Sequence, residues 1–339
     1  MGNAIVEMMA VQPAHRDDAW LKKSLQAAIE LELATLPPYL CAKWSIKGGP
    51  GAQDISDLID TVVQEEMTHL GLVCNLLKGI GGTPKIAEGY RDNVHYPGPL
   101  PGGVRPRLTV FLSGLTKPLL HDVFMQIEFP EGGPIPFALT AGGGTFPTIG
   151  AFYDAIEAEF KRRTQELDQT KQITSAAVHV APIKLAKVSD TIDLIKSQGE
   201  GTSDNPFDSG GDPAHFYRFA EIYVGARLKP VPGGGFAFNG DPLPFPDTQT
   251  VAPIPRGGFP NAATDVAPLI TAFNSIFSNL LDKLDQTWQN TDLNALRDAV
   301  TLMFQLEPAA KAIMQKPLPH SVEGFYGPDF RYLPPGQRV

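Results

Sequence analysis

Apolar residues recur with the period of an α-helix in several long stretches of this chain. Between residues 55 and 77 the repeating positions are Ile55, Ile59, Val62, Glu66, His69, Val73 and Leu76. These positions form one stripe along a helix. Two of them carry a carboxylate and an imidazole in place of an apolar side chain. The pattern therefore predicts a buried helix face that includes Glu66 and His69.

Glu66 and His69 are three residues apart, so their side chains share one face of the helix. Four-helix di-iron carboxylate proteins use Glu-x-x-His on a ligand helix and take single glutamates from other helices. Glu65 lies four residues before His69, and spacing alone does not exclude it as the ligand. We favour Glu66 because it lies on the stripe. The alternative is a hydrogen-bonded core histidine beside two solvated glutamates.

An earlier helix is predicted over residues 17–44, and its apolar stripe contains Glu32. Glu30 is about 200° away around the helix, so only one of the two faces inward, and we choose Glu32. Pro37 and Pro38 remove backbone hydrogen bonds inside this pattern and predict a kink or an interruption. The alternative for Glu32 is an exposed position on the edge of the stripe.

Further acidic candidates lie in the middle of the chain. Residues 83–147 are rich in Pro and Gly and predict a long crossover with one short helix over residues 118–127, after which Glu128 follows an apolar run. A third bundle helix is predicted over residues 148–167, with Glu157 and Glu159 flanking its stripe. Each of these glutamates is a ligand candidate, but we expect Glu157 and Glu159 to be solvated and do not expect Glu128 to reach the site.

Two later segments add ligand candidates. A helix over residues 185–198 ends at Gly199-Glu200-Gly201, where the glycines allow a sharp turn that points Glu200 into a cleft or leaves it exposed. A helix over residues 212–224 begins with Asp212-Pro213-Ala214-His215, so Asp212 and His215 repeat the i, i+3 spacing. Asp212 also fits an N-cap. His215 is therefore the stronger candidate.

The predicted organisation is an all-α bundle with long Pro/Gly-rich connections and an extra C-terminal helical hairpin. Residues 13–228 form the bundle, including the crossover 83–147, and residues 229–262 form a Pro/Gly-rich loop. Residues 263–339 form the hairpin, with arms over residues 265–288 and from residue 292, and a tail. No acidic residue or histidine interrupts the apolar stripes of the hairpin, so we expect it to brace the bundle or to contribute to an interface between subunits.

Composition narrows the class of function. The chain has 339 residues and a formal charge of −9, and without a run of Lys or Arg we expect neither nucleic acid nor an anionic membrane as a partner. Cys41 and Cys74 both lie in predicted helices, which suggests reduced thiols and a cytoplasmic location. No apolar stretch is long enough for a membrane span.

Glu32, Glu66 and His69 all interrupt apolar stripes on helices that a short turn makes neighbours. Buried carboxylates without a partner are costly, and like charges resist ionising together, whereas a bound cation resolves both problems. Oxygen ligands with one or two imidazoles suit iron or manganese, and the absence of clustered cysteines argues against structural zinc. The sequence thus predicts a metal site.

Four motifs resemble the ferritin-like family related to the iminophenylpyruvate-dimer synthase domains of bisindole pathways such as violacein and rebeccamycin. They are Leu-Glu-Leu-Ala-Thr-Leu-Pro-Pro-Tyr-Leu at 31–40, Glu-Glu-Met-Thr-His at 65–69, Gln-Gly-Glu-Gly-Thr at 198–202 and His-Phe-Tyr-Arg-Phe at 215–219. The resemblance implies a ferritin-like four-helix bundle with a metal centre. The ligands implied by matching are Glu32, Glu66, His69, Glu200 and His215. The chain departs from its relatives at Asp212, where they have Glu.

The resemblance and the predicted metal site together favour a non-haem oxidoreductase or synthase with one or two iron ions, manganese and zinc being alternatives. The implied substrate is a small metabolite derived from an amino acid. Tyr39 and Arg218 are candidate catalytic residues that contact the ligands or the substrate. A non-catalytic iron-storage protein and a metal-free structural bundle are the competing classes. A homo-oligomer is compatible with each of them.

Overall fold

The computed structural model describes residues 4–130, 148–201, 205–319 and 323–339. The chain is mostly helical, as the apolar patterns predict. The described helices are α1 (Ala4–Ala10), α2 (Asp18–Trp44), α3 (Ala52–Gly79), α4 (Ile86–Asn93), α5 (Lys117–Leu119), α6 (Met125–Ile127), α7 (Ile149–Arg162), α8 (Val188–Gly199), α9 (His215–Val224), α10 (Ala267–Asn290) and α11 (Leu293–Met314). A π-helical turn, Leu120–Phe124, joins α5 to α6.

Two pairs of short antiparallel strands fix the Pro/Gly-rich segment after α9. Strand β1 (Ile46–Gly48), in the turn between α2 and α3, pairs with β4 (Asp247–Thr248). Strand β2 (Lys229–Pro230) pairs with β3 (Phe236–Ala237). The pairing of β1 with β4 attaches this segment to the turn between the two longest helices.

Helix α2 continues through Pro37 and Pro38 to Trp44 and is not split into two helices. A proline at position 38 has no N–H for the carbonyl of Ala34, four residues earlier. The hydroxyl of Tyr96 donates to that carbonyl over 2.6 Å. A side chain from outside the helix thus supplies the donor that is missing at Pro38.

Two predicted helix ends differ from the observed ones. Helix α7 ends at Arg162 because Arg163 is extended, with φ −74° and ψ 134°, although the apolar pattern extends to residue 167. Helix α9 begins at His215, with Ala214 as its N-cap. The predicted start at Asp212 is therefore wrong, and Asp212 does not cap this helix.

The helices around α2 and α3 bring four distant parts of the chain together. Helix α7 packs on α2, while α8 and α9 pack on α3. Helix α6 and the π-helical turn pack on α9, and Glu128 follows α6 directly. The inner faces of α2 and α3 therefore meet the end of α6 and the beginning of α9.

The C-terminal hairpin packs on this assembly. Helix α10 contacts α3, α4 and α11, and α11 also contacts α2. Asp285 of α10 accepts hydrogen bonds from the backbone N–H groups of Ile86 and Ala87 at 2.6 and 3.2 Å, and so caps α4. The indole of Trp288 donates to Asn75 of α3 over 3.0 Å. No described helix has the length and apolarity needed to cross a membrane.

Candidate metal centre

The first group of candidate ligands comes from the two longest helices. Glu32 of α2 and Glu66 and His69 of α3 are buried, and each offers a ligand atom within 4.8 Å of the others. Nδ1 of His69 lies 3.7 Å from Oε2 of Glu32 and 3.9 Å from Oε2 of Glu66. These are three of the residues that the sequence singles out by their position in apolar stripes.

The second group shares Glu66 with the first. It consists of Glu66, Glu128 and His215, all buried, with ligand atoms again within 4.8 Å of one another. Nδ1 of His215 lies 2.9 Å from Oε1 of Glu66 and 3.6 Å from Oε2 of Glu128. The two imidazole rings are 5.7 Å apart and close to parallel. Glu66 thus lies between two similar halves, each with one further carboxylate and one histidine.

The Nε2 atom of each imidazole contacts an oxygen atom, while Nδ1 of the same ring faces the cluster. Nε2 of His69 lies 2.8 Å from Oε1 of Gln198, and Nε2 of His215 lies 2.8 Å from Oε2 of Glu65. Arg218 in turn donates to both oxygens of Glu65, over 2.9 and 3.1 Å. Glu65 therefore orients a histidine, while Glu66 lies in the cluster. Metal-binding histidines are commonly oriented by such contacts.

Two buried tyrosines hold the outer carboxylates. The Tyr153 hydroxyl of α7 donates to Glu32, and the Tyr39 hydroxyl of α2 donates to Glu128. Burial, together with the nearby carboxylates, raises the pKa of both tyrosines well above the ordinary value. Both phenols are therefore neutral donors that fix one oxygen of each outer carboxylate.

Burial and mutual contacts shift the pKa values of the cluster in opposite directions. Burial raises the pKa of Glu32 to about 7 and also raises that of Glu128. Burial alone would raise the pKa of Glu66, but its contacts with His215 and His69 outweigh this effect and lower it. For His69, burial acts to lower the pKa, and the contacts with Glu32 and Glu66 raise it to about 10. The protein alone therefore balances its buried carboxylates by retaining protons on the histidines.

The donor set fits a pair of cations. Three buried carboxylates and two imidazoles converge, and Nδ1 of His215 faces Oε1 of Glu66 at 2.9 Å without the geometry of a hydrogen bond to any described residue. Buried polar atoms normally have partners. Carboxylate oxygens with one imidazole in each half match the preferences of iron and manganese. Glu32, His69 and Glu66 would hold one ion, and Glu128, His215 and the same Glu66 the other.

A small cavity of about 30 Å³ adjoins the cluster. Its wall includes Glu32, Glu66, His69, Glu128 and Tyr153, whereas His215 is not part of the described wall. The cavity also reaches the start of α7 and the end of α8. Space for a molecule the size of water therefore lies on the side of the cluster that carries Glu32 and His69.

A ferritin-like family model matches residues 25–224, which is more than half of the chain. The chain belongs to the ferritin-like family. The solved structure of a ferritin-like protein from Caulobacter vibrioides matches with a TM-score of 0.62 at 21% sequence identity, over 92% of this chain and 97% of that one. At this identity the likeness concerns the fold alone. No functionally curated protein matches the sequence. The ferritin-like fold expected from the motifs is thus confirmed.

Some predicted ligands of this ferritin-like chain lie outside the two groups. Glu200 lines the small cavity, where its Oε1 accepts a hydrogen bond from the Gly150 backbone N–H over 3.1 Å. Asp212 is exposed, so the second i, i+3 pair does not form. Glu157 forms an ion pair with Lys161, and the buried Glu159 with Arg162. Of the two candidate catalytic residues, Tyr39 contacts a carboxylate of the cluster and Arg218 contacts Glu65.

Three residues of the centre were not predicted to take part in it. Glu128 was named as a candidate but was not expected to reach the site, and the signal that favours its inclusion is its position directly after an apolar run. Tyr153 lies four residues after Ile149 and so extends the apolar stripe of α7. Gln198 has no comparable signal, because only the end of α8 brings its amide to His69.

Proposed function

We propose that this ferritin-like chain is a non-haem metalloenzyme that binds two iron ions and oxidises a small organic substrate. The observation that carries the proposal is the pair of buried ligand groups joined by Glu66. A protein has little reason to bury three carboxylates against one another unless cations compensate their charge. Two divalent ions would offset the three carboxylates and bind Nδ1 of His215, which faces Glu66 and Glu128.

Iron is favoured over zinc by the chemistry of the donors. No cysteine takes part in either group, and both free cysteines, Cys41 and Cys74, are buried within helices. A bound pair of iron ions supplies one-electron and dioxygen chemistry that side chains cannot provide. Manganese fits the same donors and is the principal alternative metal.

The residues of the chain have separable tasks in this proposal. Tyr39 and Tyr153 each fix one oxygen of an outer carboxylate, which directs the other oxygen toward the centre. Gln198 and Glu65 hold Nε2 of the histidines, so that Nδ1 faces the carboxylates. The apolar surroundings exclude bulk water from the centre. The small cavity beside Glu32 and His69 leaves room for a small co-substrate such as dioxygen.

The class of the organic substrate follows from the sequence motifs. The resemblance to the iminophenylpyruvate-dimer synthase group favours an imine or a related metabolite derived from an amino acid. The described cavity holds only about 30 Å³, so it fits a molecule far smaller than an amino acid. We therefore propose that the organic substrate approaches from the side formed by the start of α7 and the end of α8.

Dioxygen consumption tests this function. The full chain is loaded with Fe²⁺ and mixed with amino-acid-derived imines, and oxygen uptake is followed for wild type, Glu66→Gln and the control Glu88→Gln. Glu88 lies on α4 with its side chain 52% exposed, beside Lys85. We expect substrate-dependent uptake in wild type and the control and its loss in Glu66→Gln. Iron loading far above two ions per chain without substrate-dependent uptake would instead indicate storage and overturn the proposal.

A further inference from the structure

A second cavity, of about 340 Å³, lies between the end of α4, the turn at residues 255–258 and the C-terminal segment 329–332. Its size is typical of pockets that hold small molecules. Its described wall has no residue in common with the cavity beside the metal cluster. This pocket is therefore separate from the cavity beside the metal cluster.

The charged side chains of this second cavity are mostly cationic. Arg91, Arg256 and Arg331 line it, whereas Asp329 is the single acidic residue in the described wall. The Asp329 side chain is only 1% exposed. Its two oxygens accept hydrogen bonds from Asn274 at 2.6 Å and from Nε of Arg331 at 2.7 Å. Both carboxylate oxygens of Asp329 therefore have hydrogen-bond partners in the protein, and one of these bonds positions Arg331.

Each of the three guanidinium groups retains donors for a ligand, because none of them uses all five of its N–H groups on described residues. Arg91 uses Nε and one terminal nitrogen to bind Asp92. Arg331 uses Nε for Asp329, which leaves its terminal nitrogens, and its side chain is 45% exposed. Arg256 is exposed and forms neither an ion pair nor a hydrogen bond with any described residue. On a chain with a net charge of −9, this is a local cationic surface.

The backbone of the C-terminal segment holds these groups in one place. Phe330 has φ +48°, in the left-handed region that few side chains adopt. It is held there by stacking on Trp44 at 5.9 Å and by a 2.8 Å hydrogen bond from Tyr90 to its carbonyl. Residue 258 must be glycine, because a Cβ there would lie 1.9 Å from Oδ2 of Asp329. An uncommon backbone conformation that several contacts hold in place is frequent at binding sites.

Aromatic rings complete the wall of the pocket. Tyr90, Tyr96, Phe330 and Tyr332 all line it. Tyr90 and Phe330 are 2% and 1% exposed, so the rings that a planar ligand could contact are those of the half-buried Tyr96 and Tyr332. The guanidinium fork matches the two oxygens of a carboxylate or a phosphate. We propose that this pocket is a binding site for a small planar molecule that carries a carboxylate or phosphate group.

Calorimetric titration of the full chain at low ionic strength tests this site. The probes are benzoate, phenyl phosphate and, as the neutral counterpart, benzyl alcohol. We expect one molecule of at least one of the two anions to bind per chain, and their relative affinities identify the preferred group. Arg256→Gln and Arg331→Gln should each weaken binding about tenfold or more, because each removes a charge-assisted hydrogen bond. The control Arg297→Gln, an exposed position on α11, should leave binding unchanged.

Arg256→Gln is the decisive variant, since an exposed side chain without described partners can be replaced without disturbing the fold. Arg331→Gln also loses the contact with Asp329, so its melting temperature is measured beside wild type. Failure of both anions to bind at millimolar concentration would overturn the proposal. So would equal affinities of Arg256→Gln and Arg297→Gln, or binding of benzyl alcohol as tight as that of the anion that binds better.

Discussion

Oε1 of Glu66 lies 2.9 Å from Nδ1 of His215, and Oε2 of the same carboxylate lies 3.9 Å from Nδ1 of His69. One glutamate therefore stands between two histidines that are far apart in the sequence. Its position makes the two ligand groups a single centre. The side chains that surround this glutamate determine the protonation states of the centre, and each of them can be substituted separately.

Removing the oxygen that contacts Nε2 of either histidine should weaken metal binding without abolishing it. Glu65→Leu keeps approximately the size of the side chain but removes the oxygen that faces Nε2 of His215. We expect a loss of about 10–100-fold in the affinity for Co²⁺, measured by calorimetric titration of the chelated protein. Gln198→Leu should act similarly through His69. An affinity unchanged in both variants would contradict an orienting role, and Glu88→Gln serves as the control.

Replacing either buried tyrosine by phenylalanine should destabilise the metal-free protein. Tyr39→Phe and Tyr153→Phe each remove the hydroxyl that donates to a buried carboxylate. The expected cost is about 1–3 kcal/mol in the free energy of unfolding, measured in urea. Tyr223→Phe is the matched control, because its hydroxyl makes no hydrogen bond with a described residue. Equal stabilities of all three variants would rule out this contribution.

The stability of the metal-free protein should fall as pH rises above neutrality. The pKa of His69 is raised to about 10 in the folded chain from an ordinary value of 6.5. Its contribution is therefore fully present below about pH 6.5 and is lost as pH rises through about 10. The pKa of Glu32 is raised from 4.5 to about 7, so its contribution to stability is also lost as pH rises, between about pH 4.5 and 7.

Thermal unfolding of chelated protein between pH 7 and 10 measures this effect. We expect the melting temperature of wild type to fall by several degrees and that of His69→Gln to fall less. Protein loaded with metal should show a weaker dependence, since a ligating imidazole is already neutral. A melting temperature that rises with pH in the chelated wild type would contradict the assignment.

Periodicity predicted those residues of the cluster that lie within the two longest helices. Glu32, Glu66 and His69 interrupt regular apolar stripes, and His215 begins a short amphipathic helix. All four lie in the observed cluster. The sequence did not decide between Glu65 and Glu66, because both are compatible with His69 on a helix. The long-range contact of Glu65 with His215 distinguishes them.

Candidate ligands outside regular periodicity were harder to predict. Glu128 follows α6, which itself follows a π-helical turn. In such a turn the period of 3.6 residues does not hold, so apolar spacing does not indicate which side chains face inward. Asp212 has the expected spacing from His215, but the helix begins only at residue 215, so no shared helical face exists. Helix spacing is informative only between residues that lie in the same helix.

The number of metal ions bound per chain tests the central claim most directly. Wild-type protein from which metal has been removed with a chelator is incubated anaerobically with Fe²⁺ and then freed of unbound metal. Its iron content is measured by elemental mass spectrometry, beside that of Glu66→Gln and Glu88→Gln. The account predicts about two ions per chain in wild type and Glu88→Gln, and fewer than one in Glu66→Gln, because both groups share Glu66. A wild type that retains neither iron, manganese nor zinc, or a Glu66→Gln variant that retains as much metal as wild type, would contradict it.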